Sequence, residues 1–588
     1  MSHQDEHFLA QVTPPPQESM KSFLLALTSV LAASAAPSKR ALTTRDVPSG
    51  APVVSVKNGS YYGSHFPQYN QDVFRGIPFA QPPLESLRFN NPAPLNWSWT
   101  GALPATDFAF ECFGYGGDQI GYEQSEDCLY LNVYRPSGYE NQSLPVGVWI
   151  HGGGFYMGGT ADRRYNLSFI VDNSVAIGKP IIAVNIAYRL GPWGFLNGDE
   201  IVGEGVTNLG LKDQRLALRW INENIRGFGG DPSKVTIWGE SAGAASVGFQ
   251  LTAFNGRDDK LFRAAIMESG NPVAYTALNG TEFYQPRYAA LIKAAGCGNS
   301  TKPLDCLRNV PTFVLNNVLN TTQFNRQWNP TIDGDFIARY GSAQLADGAF
   351  VHVPIISGAN SDEGVSFSPM PVNSTAQIEG YLNTTSSLQE ALPEPLVQEL
   401  LAIYTNESNP QYLIPSDKTE GGNVTLPQPF GPEFRTSAAY FGDEVFIAAR
   451  RLTCETWAAA GLPAYCYRFN AQPNGVTWPA GVPHFQEVAF VFNNIQGVGY
   501  AVDPFANKSQ SYIDLSNLMS KSWASFIYDQ NPNNFTGRQG NVTAWPRYSV
   551  SNPMDIVWDA NVTSYAEPDT FRKEGIALIN ANQALYHR

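Results

Sequence analysis

Short apolar runs, largely β-branched or aromatic, recur at 146–150, 181–188, 235–238, 264–268, 353–358 and 465–469, with longer mixed stretches between them. Runs without polar alternation suit strands buried on both faces. Their alternation with helical patterns predicts a largely parallel sheet covered by helices on both sides. Over 211–225, Leu211, Arg215, Leu218 and Ile225 interleave with Leu216, Trp220 and Ile221 at the spacing of an amphipathic helix, and Gly227-Phe228-Gly229-Gly230-Asp231-Pro232 ends it. Across 271–350 and 368–435 the strand signal weakens while Pro, Asn and Thr rise, as expected of insertions that shape a pocket over a sheet. No internal repeat and no linker divides the pattern, so a single α/β domain is expected over 41–588.

Composition narrows the partners. Of 588 residues only 15% are charged, and the formal charge of -14 argues against nucleic acid or an anionic membrane, both of which need clustered Lys and Arg. The N-terminus reads as an address. Residues 23–31 form a short apolar core behind Met20-Lys21, followed by the small residues Ala33-Ser34-Ala35, the pattern of a signal peptide over 20–35. The acidic, Pro-rich 1–19 is a poor leader and is expected to be an extension ahead of the true start at Met20. Lys39-Arg40 offers a dibasic site, making 36–40 a short propeptide.

Secretion agrees with two further features. Asn-x-Ser/Thr sequons are abundant, among them Asn58, Asn96, Asn166, Asn279, Asn373, Asn423 and Asn561, so N-linked glycans are expected. The six cysteines fall into close neighbours, which proposes Cys112 with Cys128, Cys297 with Cys306 and Cys454 with Cys466. No Cys or His spacing suggests a metal site. No membrane stalk or lipid-anchor signal is read at the far end.

The chemistry gathers around Gly239-Glu240-Ser241-Ala242-Gly243. This G-x-S-x-G follows a predicted strand and precedes a helical pattern, the context in which a serine is held on a sharp turn with its hydroxyl exposed. A serine needs a base and an orienting acid. Of seven histidines, His3 and His7 precede the signal, His65 and His151 precede the nucleophile, His352 sits in a predicted strand and His587 lies near the end. His484 remains, in a Gly/Pro loop after the strand at 465–469, where open α/β sheets keep their chemistry. Asp362 and Glu363 both follow the strand at 353–358 and stay open as the acid. His151-Gly152-Gly153-Gly154-Phe155 follows the strand at 146–150, with glycines whose N–H groups can converge on an anion; His151 itself reads as a packing residue.

Together these stretches resemble the type-B carboxylesterase/lipase family, the α/β-hydrolases that include cholinesterases and secreted fungal esterases. The resemblance also rests on Phe74-Arg75-Gly76-Ile77-Pro78-Phe79-Ala80, Ser125-Glu126-Asp127-Cys128-Leu129-Tyr130-Leu131-Asn132-Val133, Asn208-Leu209-Gly210-Leu211-Lys212-Asp213-Gln214 and Asp362-Glu363-Gly364. It implies an α/β-hydrolase fold and a triad of Ser241, His484 and Glu363. It also implies oxyanion donors at Gly153, Gly154 and Ala242, no cofactor, a positioning role for Glu240, and an ion pair of Arg75 with Glu126. The first two cysteine pairs match the family's disulfides; Cys454 and Cys466 do not match its best-known third bridge.

Departures from the family bear on the substrate. The interval from Cys112 to Cys128 is short, whereas the family's interfacially activated lipases carry a longer lid there. It holds Phe113, Tyr115 and Tyr122 but not the Trp by which cholinesterases bind a quaternary ammonium. Soluble short- to medium-chain esters are therefore ranked first, lipase or sterol esterase second and cholinesterase third. An adhesion-type relative is disfavoured because such relatives lose the serine.

Overall fold

The computed structural model describes residues 46–385, 389–406, 410–414, 426–538 and 542–588. The expected extension, signal peptide and propeptide, together with the Asn423 sequon, lie outside the described residues. Eleven strands form one sheet: β1 (Ser64–Phe66), β2 (Gln71–Pro78), β3 (Tyr130–Pro136), β4 (Leu144–Ile150), β5 (Ile182–Ile186), β6 (Gly230–Glu240), β7 (Ala264–Glu268), β8 (Ile355–Asn360), β9 (Ala464–Phe469), β10 (Met554–Trp558) and β11 (Tyr565–Pro568). Their spatial order is β11-β10-β9-β8-β7-β6-β4-β5-β3-β2-β1. The strands from β10 to β5 in that order run parallel, and antiparallel pairs finish both edges. The central strands β4, β5, β7 and β8 are buried at every position, as uninterrupted apolar runs require.

All six predicted strands are present, β6 being longer than the apolar run at its end. The predicted helix is α1 (Leu209–Asn224), with Leu211, Leu218 and Ile221 in the core. Its glycine-rich sequel does more than stop it. A 3-10 turn at Ile225–Phe228 and left-handed Gly229 pass the chain straight into β6. His352 lies ahead of β8, exposed, since that strand begins only at Ile355.

Neighbouring β4 and β6 set the site. Gly239 pairs with Ile150, so the segments that follow, His151 onward and Glu240 onward, emerge side by side at the carboxyl edge. The chain turns into α2 (Ala242–Gly256) so tightly that a Cβ at Gly243 would stand 2.0 Å from the Ile150 carbonyl oxygen. Only glycine permits that closeness. The predicted insertions supply helices at Thr281–Ala294, Pro303–Asn309, Thr312–Leu319, Thr375–Leu382 and Glu394–Tyr404.

Three disulfides join Cys112–Cys128, Cys297–Cys306 and Cys454–Cys466, the sequential pairing. The expected Arg75–Glu126 pair is not formed. Arg88 takes that place, with Nη2 and Nε each 2.7 Å from the Glu126 carboxylate and Nη1 donating to the Leu307, Arg308 and Val310 carbonyls. Arg75 leaves β2 at a register shift and lays its guanidinium over Phe108 at 4.4 Å and Phe66 at 4.9 Å. Among the sequons, Asn96, Asn373 and Asn561 are exposed, whereas Asn279 is buried.

Candidate active site

Ser241 stands between β6 and α2 in a conformation rare for a side-chain-bearing residue, φ 56° and ψ -126°. The surrounding packing sustains it: Ser241 N–H donates to the Glu268 carbonyl at 2.9 Å, and its own carbonyl accepts from Ala245 at 2.8 Å. Ser241 and His484 line one cavity of about 650 Å³, together with Gly153, Gly154 and Glu240. Insertion residues, including Tyr275, Arg326 and Tyr381, complete its walls.

His484 is fixed on several sides. Its Nδ1 stands 2.7 Å from Glu363 Oε2, Phe446 stacks on the ring at 4.8 Å, and Phe367 meets it edge-on at 5.1 Å. Glu363 follows β8 and is fully buried; its other oxygen accepts from Ser269 Oγ at 2.5 Å and from the Asn360 N–H at 2.7 Å. The alternative acid, Asp362, turns elsewhere and accepts the Val482 N–H at 2.8 Å, tying down the loop that carries His484. With Nδ1 donating to a carboxylate, the ring's Nε2 is left as the basic nitrogen.

Around Nε2 the electrostatics are unusual. Glu240 Oε1 lies 3.2 Å from it and has no hydrogen-bond partner among the described residues. Burial, then the carboxyls of Glu487, Glu363 and Glu268, push the Glu240 acid well above the ordinary carboxyl range. Glu487 is raised as well, by burial and by Glu363, and its Oε2 accepts from Asn360 Nδ2 at 2.6 Å. Four carboxyl groups thus share one interior, and burial pushes those of Glu240, Glu268 and Glu487 toward their neutral forms. Ser269, Asn360, Glu268 and Glu487 went unrecognised in the sequence reading. The available signals were the position of Glu268-Ser269 at the end of β7 and of Glu487 in the His484 loop.

Gly153 and Gly154 adopt φ 95° and 62°, and their N–H groups have no acceptor among the described residues. Ala242 is the first residue of α2, where backbone N–H groups lack intrahelical partners. Three donors are therefore unspent near the serine. His151 is buried, stacks on Tyr188 at 4.5 Å and is lowered to about 4 by that burial, a neutral packing residue as expected. No group of His, Cys, Asp or Glu among the described residues is placed to hold a metal.

This serine turn, with a His–Glu pair beside it and a glycine loop from the adjacent strand, occupies a chain whose residues 50–568 match the sequence profile described as "Carboxylesterase family". The chain belongs to that family. It is a carboxylic ester hydrolase with the α/β-hydrolase fold. It is 36% identical to "Secreted lipase 1" of Botryotinia fuckeliana over 81% of this chain and 84% of the relative. To "Lipase 2" of Geotrichum candidum it is 32% identical, over 88% and 93%. Among solved structures it resembles Aspergillus niger EstA with a TM-score of 0.76 and 25% identity, covering 92% of this chain and 99% of that one.

Proposed function

We propose that this protein is a secreted serine carboxylesterase that acts on soluble short- to medium-chain esters through Ser241, His484 and Glu363. The observation that carries the triad is the 2.7 Å contact of His484 Nδ1 with buried Glu363, in a ring that shares its cavity with Ser241. His484 Nε2 takes the Ser241 proton as Oγ attacks the ester carbonyl, and Glu363 steadies the imidazolium. The N–H groups of Gly153, Gly154 and Ala242 hold the tetrahedral oxyanion, each such donor being worth roughly 100- to 1000-fold in kcat. His484 then protonates the leaving alkoxide, and water repeats the cycle on the acyl-enzyme. Glu240, its carboxyl raised by burial beside Nε2, positions water and proton without bonding to the substrate carbon.

The preference for soluble esters rests on the Cys112–Cys128 segment, which is pinned like a wall. Asp118 pairs with Arg164 at 2.7 Å, Gln119 bonds the Cys112 and Gly158 backbone, and Tyr115 donates to Asn316 at 2.8 Å. The relatives named as lipases favour a second reading, a lipase acting on aggregated substrate. Three disulfides, and the absence of any described helix long and apolar enough to cross a membrane, agree with secretion, and exposed Asn96, Asn373 and Asn561 are the proposed glycan carriers.

Ser241→Ala is expected to abolish hydrolysis of p-nitrophenyl butyrate and labelling by an organophosphonate while the melting temperature holds. Retained turnover would refute the triad. A rate that jumps once substrate passes its solubility limit would select the lipase reading.

A further inference from the structure

Three arginines line the cavity that holds Ser241, and two of them are matched by carboxylates. Arg164 is held by Asp118 at 2.7 Å and by Asp162, and Arg588 pairs with Glu444. Arg326 differs. It is exposed to the cavity, and its side chain makes no ion pair or hydrogen bond among the described residues. Its guanidinium lies over the ring of Tyr156, 4.9 Å from the centroid. Tyr156 in turn covers the glycine loop, for a Cβ at Gly154 would stand 2.6 Å from its ring. The cation is therefore one aromatic ring away from a glycine whose N–H is unspent beside the serine. Both sides of that stack are anchored. Phe324 and Trp328, which flank Arg326 in the chain, are buried, and Trp328 stacks on Tyr284 at 5.7 Å. The Tyr156 carbonyl accepts the Tyr115 N–H at 2.7 Å, and the Phe155 carbonyl before it accepts the Gly191 N–H at 2.7 Å.

A guanidinium presents its N–H donors in a planar fork that matches a carboxylate, and stacking on an aromatic face leaves the edges of that fork free. We propose that Arg326 recognises a carboxylate carried by the ester a few carbons from the scissile bond, so that the preferred substrates are half-esters of dicarboxylic acids or acyl esters of hydroxy acids. This rests on the ester-hydrolase reading of the cavity and names the class of soluble ester it takes. With the ester carbonyl accepting from Gly154, the intervening carbons run along the Tyr156 ring and the carboxylate meets the edge of the Arg326 guanidinium. Because Arg326 is exposed, the pair forms without the desolvation penalty that an interior ion pair incurs. Arg164 and Arg588 are excluded from this task by the carboxylates they already hold. Arg326 is thus a specificity residue and takes no part in bond breaking.

The test compares kcat/KM for anionic esters with that for neutral isosteres in which an isopropyl group replaces the carboxylate. Monoethyl glutarate against ethyl 5-methylhexanoate probes the acyl side, and 4-acetoxybutanoate against 4-methylpentyl acetate probes the alcohol side. The readout is the anionic-to-neutral ratio. Arg326→Gln is expected to lower it about tenfold for one of the two pairs, and Arg326→Glu further, whereas Arg326→Lys keeps the charge and most of the ratio. The pair that responds shows whether the acid or the alcohol carries the carboxylate. Organophosphonate titration counts working sites in every variant, so misfolding is separated from lost selectivity. With full titration, a ratio that neither Arg326→Gln nor Arg326→Glu lowers in either pair overturns the carboxylate site and leaves the ester-hydrolase reading standing. Failure of titration in the wild type refutes that reading instead.

Discussion

Glu268 shows how one buried carboxyl fixes a pH dependence. Its Oε1 accepts from Trp238 Nε1 and from Trp523 Nε1, the latter at 2.6 Å, while Oε2 has no partner among the described residues. Burial, with the Glu487 carboxyl adding to it, holds the acid well above the ordinary carboxyl range, although the two indole donors pull the other way. In the unfolded chain the same group ionises near pH 4.3. Above that pH the folded state binds a proton that the unfolded state has released, so this residue's contribution to stability falls as pH rises through the folded value, by about 1.4 kcal/mol per unit. Glu268→Gln removes that titration. The variant's melting temperature, measured against the wild type, is expected to rise with pH above the unfolded chain's value and to level off once the folded acid ionises; a constant difference would mean that Glu268 is ionised in the fold. At this scale the sequence disclosed the groups defined by a motif, Ser241 and the glycines, and His484 by elimination. Of the residues that hold Glu363, Asn360 ends the strand just before it, whereas Ser269 arrives from the end of β7, far away in the chain, so no local pattern announces it.

At the scale of elements, the pattern of apolar runs was enough to locate the sheet because the central strands are buried at every position and apolar over most of their length, with the few polar residues, such as Asn185 in β5 and Ser357 in β8, buried among them. Positions where the chain leaves an element were harder to read. Arg75 sits in β2 beside a register shift that turns it onto Phe66 and Phe108, whereas Arg88 follows a 3-10 turn at Glu85–Leu87 and enters the interior. Spacing along the sequence does not reveal which arginine reaches Glu126. The two substitutions should differ accordingly. Arg88→Met leaves Glu126 buried without its cation and frees three carbonyls at the end of the helix Pro303–Asn309, for an expected loss of about 3–5 kcal/mol. Arg75→Met forfeits stacking over aromatic rings and a long, 3.4 Å hydrogen bond from Nε to the Tyr134 hydroxyl, about 1–2 kcal/mol in all. Urea denaturation of the two variants orders them, and a larger loss for Arg75 would reverse the assignment.

For the whole molecule, the disulfides connect stability to substrate choice in separable ways. Cys454 and Cys466 are wholly buried and bind the helix Ala448–Ala459 to β9 beneath the sheet's interior packing, and neither lines the cavity. Cys112 and Cys128 close the segment that carries Asp118, whose pairing with Arg164 forms part of the cavity wall. By loop-closure entropy each bridge stabilises the fold by about 3 kcal/mol, so replacing either pair with alanine should lower the melting point by similar amounts. The substrate profiles should nevertheless diverge. Without Cys112–Cys128 the wall is free to withdraw, and hydrolysis across p-nitrophenyl esters of two to sixteen carbons is expected to shift toward the longer chains. The Cys454/Cys466 variant, equally weakened, is expected to keep the wild-type profile. If both variants lose stability and neither changes profile, the short disulfide segment does not set chain-length preference, and the choice between esterase and lipase must lie in the insertion helices that line the rest of the cavity.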